Sequence, residues 1–305
     1  MQIIRYPRES ISLPVTAIAL GFFDGAHIGH RHLIARMMTE AKARGLATAI
    51  FTFPSDSLGL KSGVFRLYET KEKIDILASF NPDYIILADF SALASASPED
   101  FVAEHLCRRL NCRLAVAGYN FRFGSRAAGK ADDLVSLMEK NGGDTLILPE
   151  ERMDGMTLST TAIRAALSDG DCETATAMLG EPYFVNATVV RGMGIGSAFG
   201  FPTINTEKNT LTPLPRGVYA TVVTLGDKKY IGVTNLGVCP TFAPREEHLE
   251  TMLLDFSGSA YGETVKIAFI KRLRDESVFP SPEALKKQID LDAEKARALA
   301  KRYII

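Results

Sequence analysis

The chain has 305 residues, 46% of them hydrophobic and 23% charged, a composition that excludes disorder over most of its length and, at about 150 residues per domain, suggests two domains. Lys and Arg total 35 against 36 Asp and Glu, a net charge of −1, so no basic excess advertises a nucleic-acid or membrane surface and small-molecule chemistry is the better expectation. The four cysteines, Cys107, Cys112, Cys172 and Cys239, form no Cys-x-x-Cys pair and read as reduced thiols of a cytoplasmic protein. The N-terminus carries no leader-like apolar segment, and the run Val15 to Phe23 is too short to span a bilayer.

In chain order, Val15 to Leu20 is an apolar strand, followed by the turn-like GFFDGAHIGH and a helix with Leu33, Ile34, Met37, Met38 and Ala41 on one face. Gly45 closes that helix, and Leu46 to Phe53 is a second apolar strand. Tyr84 to Leu87 reads as a strand, Pro98 to Leu110 as a helix capped by Ser97, Leu114 to Ala117 as a strand, Lys130 to Lys140 as a helix and Thr145 to Leu148 as a strand. Two short helices follow, around Thr161–Leu167 and Cys172–Leu179. Alternating strands and helices predict parallel βαβ units, a Rossmann-like α/β domain. Past Glu181-Pro182 the pattern changes to short β-rich runs, which predicts a sandwich or closed barrel: Val218 to Leu225 and Lys228 to Thr234 flank the hairpin signal Gly226-Asp227, and Leu249 to Phe256 and Thr264 to Ile270 flank another turn. A last helix starts at Ser281-Pro282 and turns Leu285, Ile289, Ala293, Ala296 and Leu299 inward. The expected domains are therefore 1–182 and 183–305.

In the first half, Gly21, Phe22, Phe23 and Asp24 lead into His27-Ile28-Gly29-His30, between the first strand and the first helix. In an open α/β sheet this is where the ligand crevice lies, and the helix N-terminus favours an anion. Imidazoles there can donate to phosphate oxygens, with Gly29 allowing close approach to the backbone. The bare His-x-x-His spacing is equally that of two surface histidines on a helical turn, or of part of a zinc site. Gly124 to Lys130 imitates a phosphate-binding P-loop, but Ala131 stands where a Ser or Thr must meet Mg²⁺. Ser159, Thr160 and Arg164 place hydroxyls at a helix start and a guanidinium one turn in, a second candidate phosphate clamp or an ordinary cap.

In the second half, Gly192, Gly194, Gly200 and Pro202 precede Thr203-Ile204-Asn205. Pro202 rules out the helix that a dinucleotide fingerprint needs. Thr203 and Asn205 point the same way in an extended segment, so both oxygens could reach one hard cation and its phosphates. Glu250 lies on a predicted strand with Met252, Leu254 and Phe256 on its own face, an acid among apolar neighbours that suits a general base, although such a residue is on its own more often a strand carboxylate paired with an arginine.

These motifs together resemble the prokaryotic bifunctional riboflavin kinase/FMN adenylyltransferase (FAD synthetase) family. The family's H-x-G-H is matched by His27 to His30, its N-F-x-F-G by Asn120 to Gly124, its S-[ST]-T-x-I-R by Ser159 to Arg164 and its G-F-P-T-A-N by Gly200 to Asn205. Pro215 to Ala220, Asn235 to Phe242, Glu250 to Phe256 and Leu273 to Phe279 match as well, so the resemblance covers essentially the whole chain. The departures are Phe53-Pro54-Ser55-Asp56-Ser57, where the family has a histidine, and Met252, where it often has one. The resemblance implies a Rossmann-like nucleotidyltransferase domain followed by a β-barrel flavokinase domain with a C-terminal helix. It implies that riboflavin is phosphorylated by ATP to FMN and that FMN is adenylylated by a second ATP to FAD, with pyrophosphate released. It assigns the proton-accepting role to Glu250, the Mg²⁺ ligands to Thr203 and Asn205, ATP to the two glycine-rich segments with Asn120, Ser159, Thr160 and Arg164, and flavin contacts to Asn120, Phe121, Arg122 and Arg274. The competing expectation is a flavin- or RNA-binding regulator on a degenerate pair of the same domains.

Overall fold

The computed structural model describes residues 1–7, 12–57, 66–153, 155–191, 203–206, 212–238 and 247–304, which divide into two compact units, Met1–Thr160 and Thr161–Ile305.

The first unit is built on six strands, β1 (Gln2–Tyr6), β2 (Thr16–Leu20), β3 (Ala47–Thr52), β4 (Tyr84–Ala88), β5 (Cys112–Gly118) and β6 (Asp144–Leu148). They form one sheet in the order β1-β4-β3-β2-β5-β6, every neighbouring pair parallel. All five residues of β2 are buried, so both faces of the sheet are covered, as its continuous apolar run demands. On one face Ile18, Leu20, Phe51, Ile86 and Ala115 pack with Leu134 and Met138 of α3 (Ala131–Lys140) and with Phe101, Val102 and Leu106 of a π-helix, Phe101–Arg109. Helix α1 (Ile28–Arg44) buries Leu33, Ile34, Met37 and Ala41 and packs on β2, β3 and β5. The segment read as one helix over Pro98–Leu110 is thus a single α-turn, Pro98–Asp100, capped by Ser97, that widens into π geometry. The elements with no sequence expectation include β1 and α2 (Thr70–Ala78), which buries Lys73, Ile76 and Leu77.

Chain direction along the sheet reverses between β3-β4 on one side of β2 and β5-β6 on the other. The ends of β2 and β5, at Leu20 and Gly118, therefore flank a topological switch point, where ligands of such sheets bind.

The second unit opens with α4 (Thr160–Ser168, its first residue counted with the first unit) and α5 (Cys172–Leu179). Strands β7 (Phe184–Val190), β8 (Thr203–Thr206), β9 (Gly217–Leu225), β10 (Lys228–Val238), β11 (Glu247–Leu253) and β12 (Thr264–Arg274) then close an antiparallel barrel in the order β7-β8-β11-β10-β9-β12. The expected hairpin at Gly226 is present, but β10 runs on to Val238. Strand β11 stops at Leu253 instead of Phe256, because Asp255 takes a φ of 61° and turns the chain. Side chains alternate sharply. Thr221, Thr234 and Thr251 face inward and join hydroxyls at 2.8 and 2.9 Å. On the outer face, Val218, Ala220, Val222, Ile231, Val233 and Met252 receive α6 (Pro282–Ala300) through Ala296, Ala300, Ile289, Ala293 and Leu299. Ser281 caps α6 from its side-chain oxygen and Pro282 occupies the first turn, as the sequence predicts.

Candidate active sites

At the end of β2 the chain makes a strained turn. Phe23, Gly25 and Ala26 have φ of 52°, 79° and 40°, three left-handed residues within four. His27 then leaves that region and caps α1, its Nδ1 accepting the backbone N–H of His30 at 3.4 Å. The two imidazoles stack at 3.7 Å with planes 19° apart, and the edge of Phe23 meets His30 at 5.2 Å. A side chain at Gly29 would press on the His27 ring, its Cβ 3.3 Å from Cε1, so the glycine keeps the stack. Burial pushes His27 down to about 4, opposed in part by the Glu151 carboxylate, which itself bonds His32 at 2.8 Å. Burial also holds His30 well below the ordinary imidazole range, helped by His27 and Lys73. Two positive rings at this spacing would repel by about 4 kcal/mol at an effective dielectric near 20. The pair is therefore neutral at physiological pH, each ring holding one N–H to donate. His30 Nδ1 is buried and has no hydrogen-bond partner among the described residues.

His27 stays neutral in the folded unit down to about pH 4, whereas an unfolded chain protonates it near 6.5. Below pH 6.5 the unfolded state then binds the extra proton, so this group costs stability progressively as pH falls toward 4 and nothing above 6.5. Replacing His27 by Ala is expected to flatten that part of the first unit's stability-versus-pH curve, as denaturant titrations at pH 7 and pH 5 would show.

Three further elements hold the turn. Thr52 at the end of β3 donates its hydroxyl to the Phe22 carbonyl at 2.8 Å, and Thr160 donates to the Asp24 carbonyl at 3.3 Å, bringing the Ser159-Thr160 segment to the loop. Lys73 donates to the Phe22 and Phe53 carbonyls. Across the switch point, Gly118 to Phe121 forms a tight turn closed by the Phe121 N–H on the Gly118 carbonyl at 3.0 Å. It leaves Asn120 and Arg122 exposed and Phe121 half-buried, stacked on Phe123 at 5.7 Å. Arg164 lies half-buried one turn into α4, counted with the second unit. The P-loop imitation is a packing device. Gly129 lies against the Phe123 ring, where a Cβ would come within 2.8 Å, and Gly129–Lys130 pairs with Arg122–Phe123 as a short antiparallel strand pair. Among the described residues no group of three or more His, Cys, Asp or Glu side chains could hold a metal ion, so no third ligand joins His27 and His30.

In the barrel, register sets a second constellation. Glu250 on β11 lies opposite Asn205 on β8 and opposite Asn235 on β10, so the three side chains form one row on the outer face. Thr203, two residues from Asn205, donates its hydroxyl to Glu250 Oε1 at 2.7 Å. The surroundings of Glu250 add to the sequence expectation: amides and a hydroxyl flank it, while of the anticipated apolar neighbours Met252 shares its strand face, Leu254, just past the strand end, packs in the same outer cluster, and Phe256 lies beyond the turn at Asp255. Asn235, to which no role was assigned from sequence, belongs to the row and also donates to Glu276 at 3.3 Å. Its sign in the sequence is its place in the Asn235 to Phe242 match. Arg274 ends β12 with its Nε on the buried Asp292 of α6 at 2.9 Å and its guanidinium 5.5 Å from the Phe279 ring centroid. Gly192, Gly194, Gly200 and Pro202 lie outside the described residues.

Comparison with known proteins bears on both sites. A family model described as FAD synthetase matches residues 10–162, and one described as riboflavin kinase matches 179–300. The chain is 33% identical over 291 residues to the bifunctional riboflavin kinase/FMN adenylyltransferase of Bacillus subtilis, covering 92% of this chain and 91% of that protein. It is 32% identical to the proteins of the same name from Escherichia coli K12 and Haemophilus influenzae, again over 92% of this chain and covering 91% and 93% of theirs. A crystal structure described as a macrolide-efflux protein from Streptococcus pneumoniae superposes with a TM-score of 0.85 at 29% identity, covering 97% of this chain and 98% of that one. No described helix is long and apolar enough to cross a membrane.

Proposed function

This chain belongs to the bifunctional riboflavin kinase/FMN adenylyltransferase family, and on that premise we propose that its barrel unit phosphorylates riboflavin to FMN and its sheet unit adenylylates FMN to FAD. The observation that carries the reading is the double one above: a neutral histidine pair at the switch point of a parallel sheet, and a Thr-Asn-Glu row on the barrel, each within the family match of its own half.

In the barrel, Glu250 accepts the ribityl hydroxyl proton as that oxygen attacks the γ-phosphorus of ATP, and ADP leaves. The Thr203 hydroxyl and the Asn205 amide are hard oxygen donors two residues apart on one strand, a pair that fits Mg²⁺, with the Glu250 carboxylate beside them left free to accept a proton. When bound there, Mg²⁺ supplies neutralisation of the phosphate charge. Because Thr203 gives its proton to Glu250, its oxygen lone pairs are left for a ligand. Asn235 stands opposite the carboxylate on the other neighbouring strand. Gly192, Gly194, Gly200 and Pro202 complete the ATP site in this reading, and Arg274, held by Asp292, borders the flavin.

In the sheet unit, the FMN phosphate attacks the α-phosphorus of ATP and pyrophosphate departs. The nucleophile is already an anion, so the protein need only orient it and stabilise charge. His27 and His30 donate N–H groups to the phosphates without the cost of burying two cations. Gly21 to Asp24, Asn120, Ser159 and Thr160 hold the nucleotide, and Asn120, Phe121 and Arg122 contact the flavin. The three described cysteines are unpaired thiols, which supports a reducing, cytoplasmic setting. The reading involves neither nucleic acid nor membrane.

We place the functional boundary at 182/183. A fragment starting at 183 is expected to phosphorylate riboflavin but to be less stable than one starting at 161. The shorter fragment lacks α5, which buries Cys172, Ala175, Met178 and Leu179 and packs on β12, and each large apolar side chain it exposes costs about 1.5–3 kcal/mol. A folded fragment of either length that makes no FMN sinks the kinase assignment.

A further inference from the structure

Lys73 is the one lysine among the buried polar residues of the described chain, only 1% exposed, and nothing in the chemistry above uses it. It is the fourth residue of α2, in the first turn of that helix, yet its ammonium reaches two other elements. It donates to the Phe22 carbonyl at 3.2 Å and to the Phe53 carbonyl at 2.5 Å, the groups at which the chain leaves β2 and β3. It also lies 4.1 Å from the centroid of the Phe22 ring. Phe22 immediately precedes the left-handed Phe23, Gly25 and Ala26, a conformation that persists only where the surroundings over-determine it. The Thr52 hydroxyl is the second donor on the same carbonyl.

We propose that Lys73 is a positioning residue of the adenylyl-transfer site: its ammonium ties the ends of β2 and β3 together and thereby fixes the strained turn that sets the His27–His30 stack. The proposal rests on the assignment of FAD formation to this unit. A buried cation is a costly way to join two carbonyls, so its charge must be matched nearby. Asp24, on the turn itself, and Asp56, after β3, are the negative charges that face it. His30 and, through it, His27 are the titratable rings on the other side, and Lys73 is one of the charges that keep His30 neutral. Burial brings the lysine down to about 8, so its proton is held at neutral pH and is lost on mild alkalinisation.

The test uses the full chain, with FMN formation as the measure of the barrel unit and a denaturant titration of the first unit as the measure of its own folding, which Lys73→Met must retain. Lys73→Met keeps the apolar stem and removes the ammonium. FAD formation from supplied FMN is expected to fall ~10²-fold, the usual consequence of a displaced catalytic constellation, while FMN formation stays at the parent rate. In the NMR titration of the histidine rings, the His30 signal of Lys73→Met should move to higher pH, since a neighbouring positive charge is gone. Lys73→Arg retains charge at all accessible pH, so the alkaline loss of FAD formation near pH 8 in the parent should disappear in it. Parent-like FAD formation by Lys73→Met, equal loss of both activities, or an unmoved His30 titration would each overturn the proposal. Failure of the parent chain itself to make FAD would instead overturn the assignment on which it rests.

Discussion

Glu250→Gln is expected to cut FMN formation by roughly 10²–10⁴-fold, the usual worth of a general base. Glutamine is the informative replacement because its carbonyl oxygen can still accept the Thr203 hydroxyl, which lies 2.7 Å from the carboxylate, so the row survives and only the proton acceptor is lost. Riboflavin and ATP should bind as before, and added nucleotide should not rescue the rate. Thr203→Ala and Asn205→Ala should behave differently, weakening Mg²⁺-ATP binding so that the defect eases at high Mg²⁺ and nucleotide. Adenylylation of supplied FMN should survive all three changes. Initial rates at several nucleotide concentrations, with products separated by chromatography, distinguish the cases. A normal riboflavin turnover by Glu250→Gln, or its rescue by ATP, would return Glu250 to the role of a strand carboxylate.

The second large effect belongs to the histidine pair. His27→Ala and His30→Ala should each lower FAD formation by about 10²–10³-fold, the cost of losing one preorganised donor to developing charge, and leave FMN formation near the parent rate. His27 has a further burden, since its Nδ1 is the acceptor that starts α1, so its removal also frays the first turn. Equal loss of both activities in His30→Ala would mean that the ring is structural. Measuring the two reactions separately, one from riboflavin and one from FMN, gives the answer directly.

What the sequence made legible follows from how local each signal is. The strand-loop-helix around His27 and His30 is written in consecutive residues, and the structure places it as read. Strand β1 was silent because it is a short edge strand with only Ile4 and Tyr6 buried, too little alternation to recognise. Helix α2 was silent because its N-cap, Glu69, makes no side-chain cap bond and its nine residues carry few apolar positions. Nothing in Phe101–Arg109 distinguishes a π-helix from an α-helix, since its apolar spacing serves both. Lys73 and Asn235 were out of reach for a different reason: each joins its site through tertiary placement, one from a helix roughly fifty positions downstream of Phe22 and one through strand register. Glu250 was found, but its polar surroundings depend on which residues of β8 and β10 stand opposite, and pairing register is not a property of β11 alone.

The central claim is that one chain carries two consecutive transfers on two separate sites. Purified Glu250→Gln, supplied in parallel with riboflavin or with FMN together with Mg²⁺-ATP, tests it in one chromatogram per substrate. The account predicts almost no FMN from riboflavin but parent-level FAD and pyrophosphate from FMN. Loss of FAD formation from supplied FMN in this variant, or undiminished FMN formation from riboflavin, would contradict it.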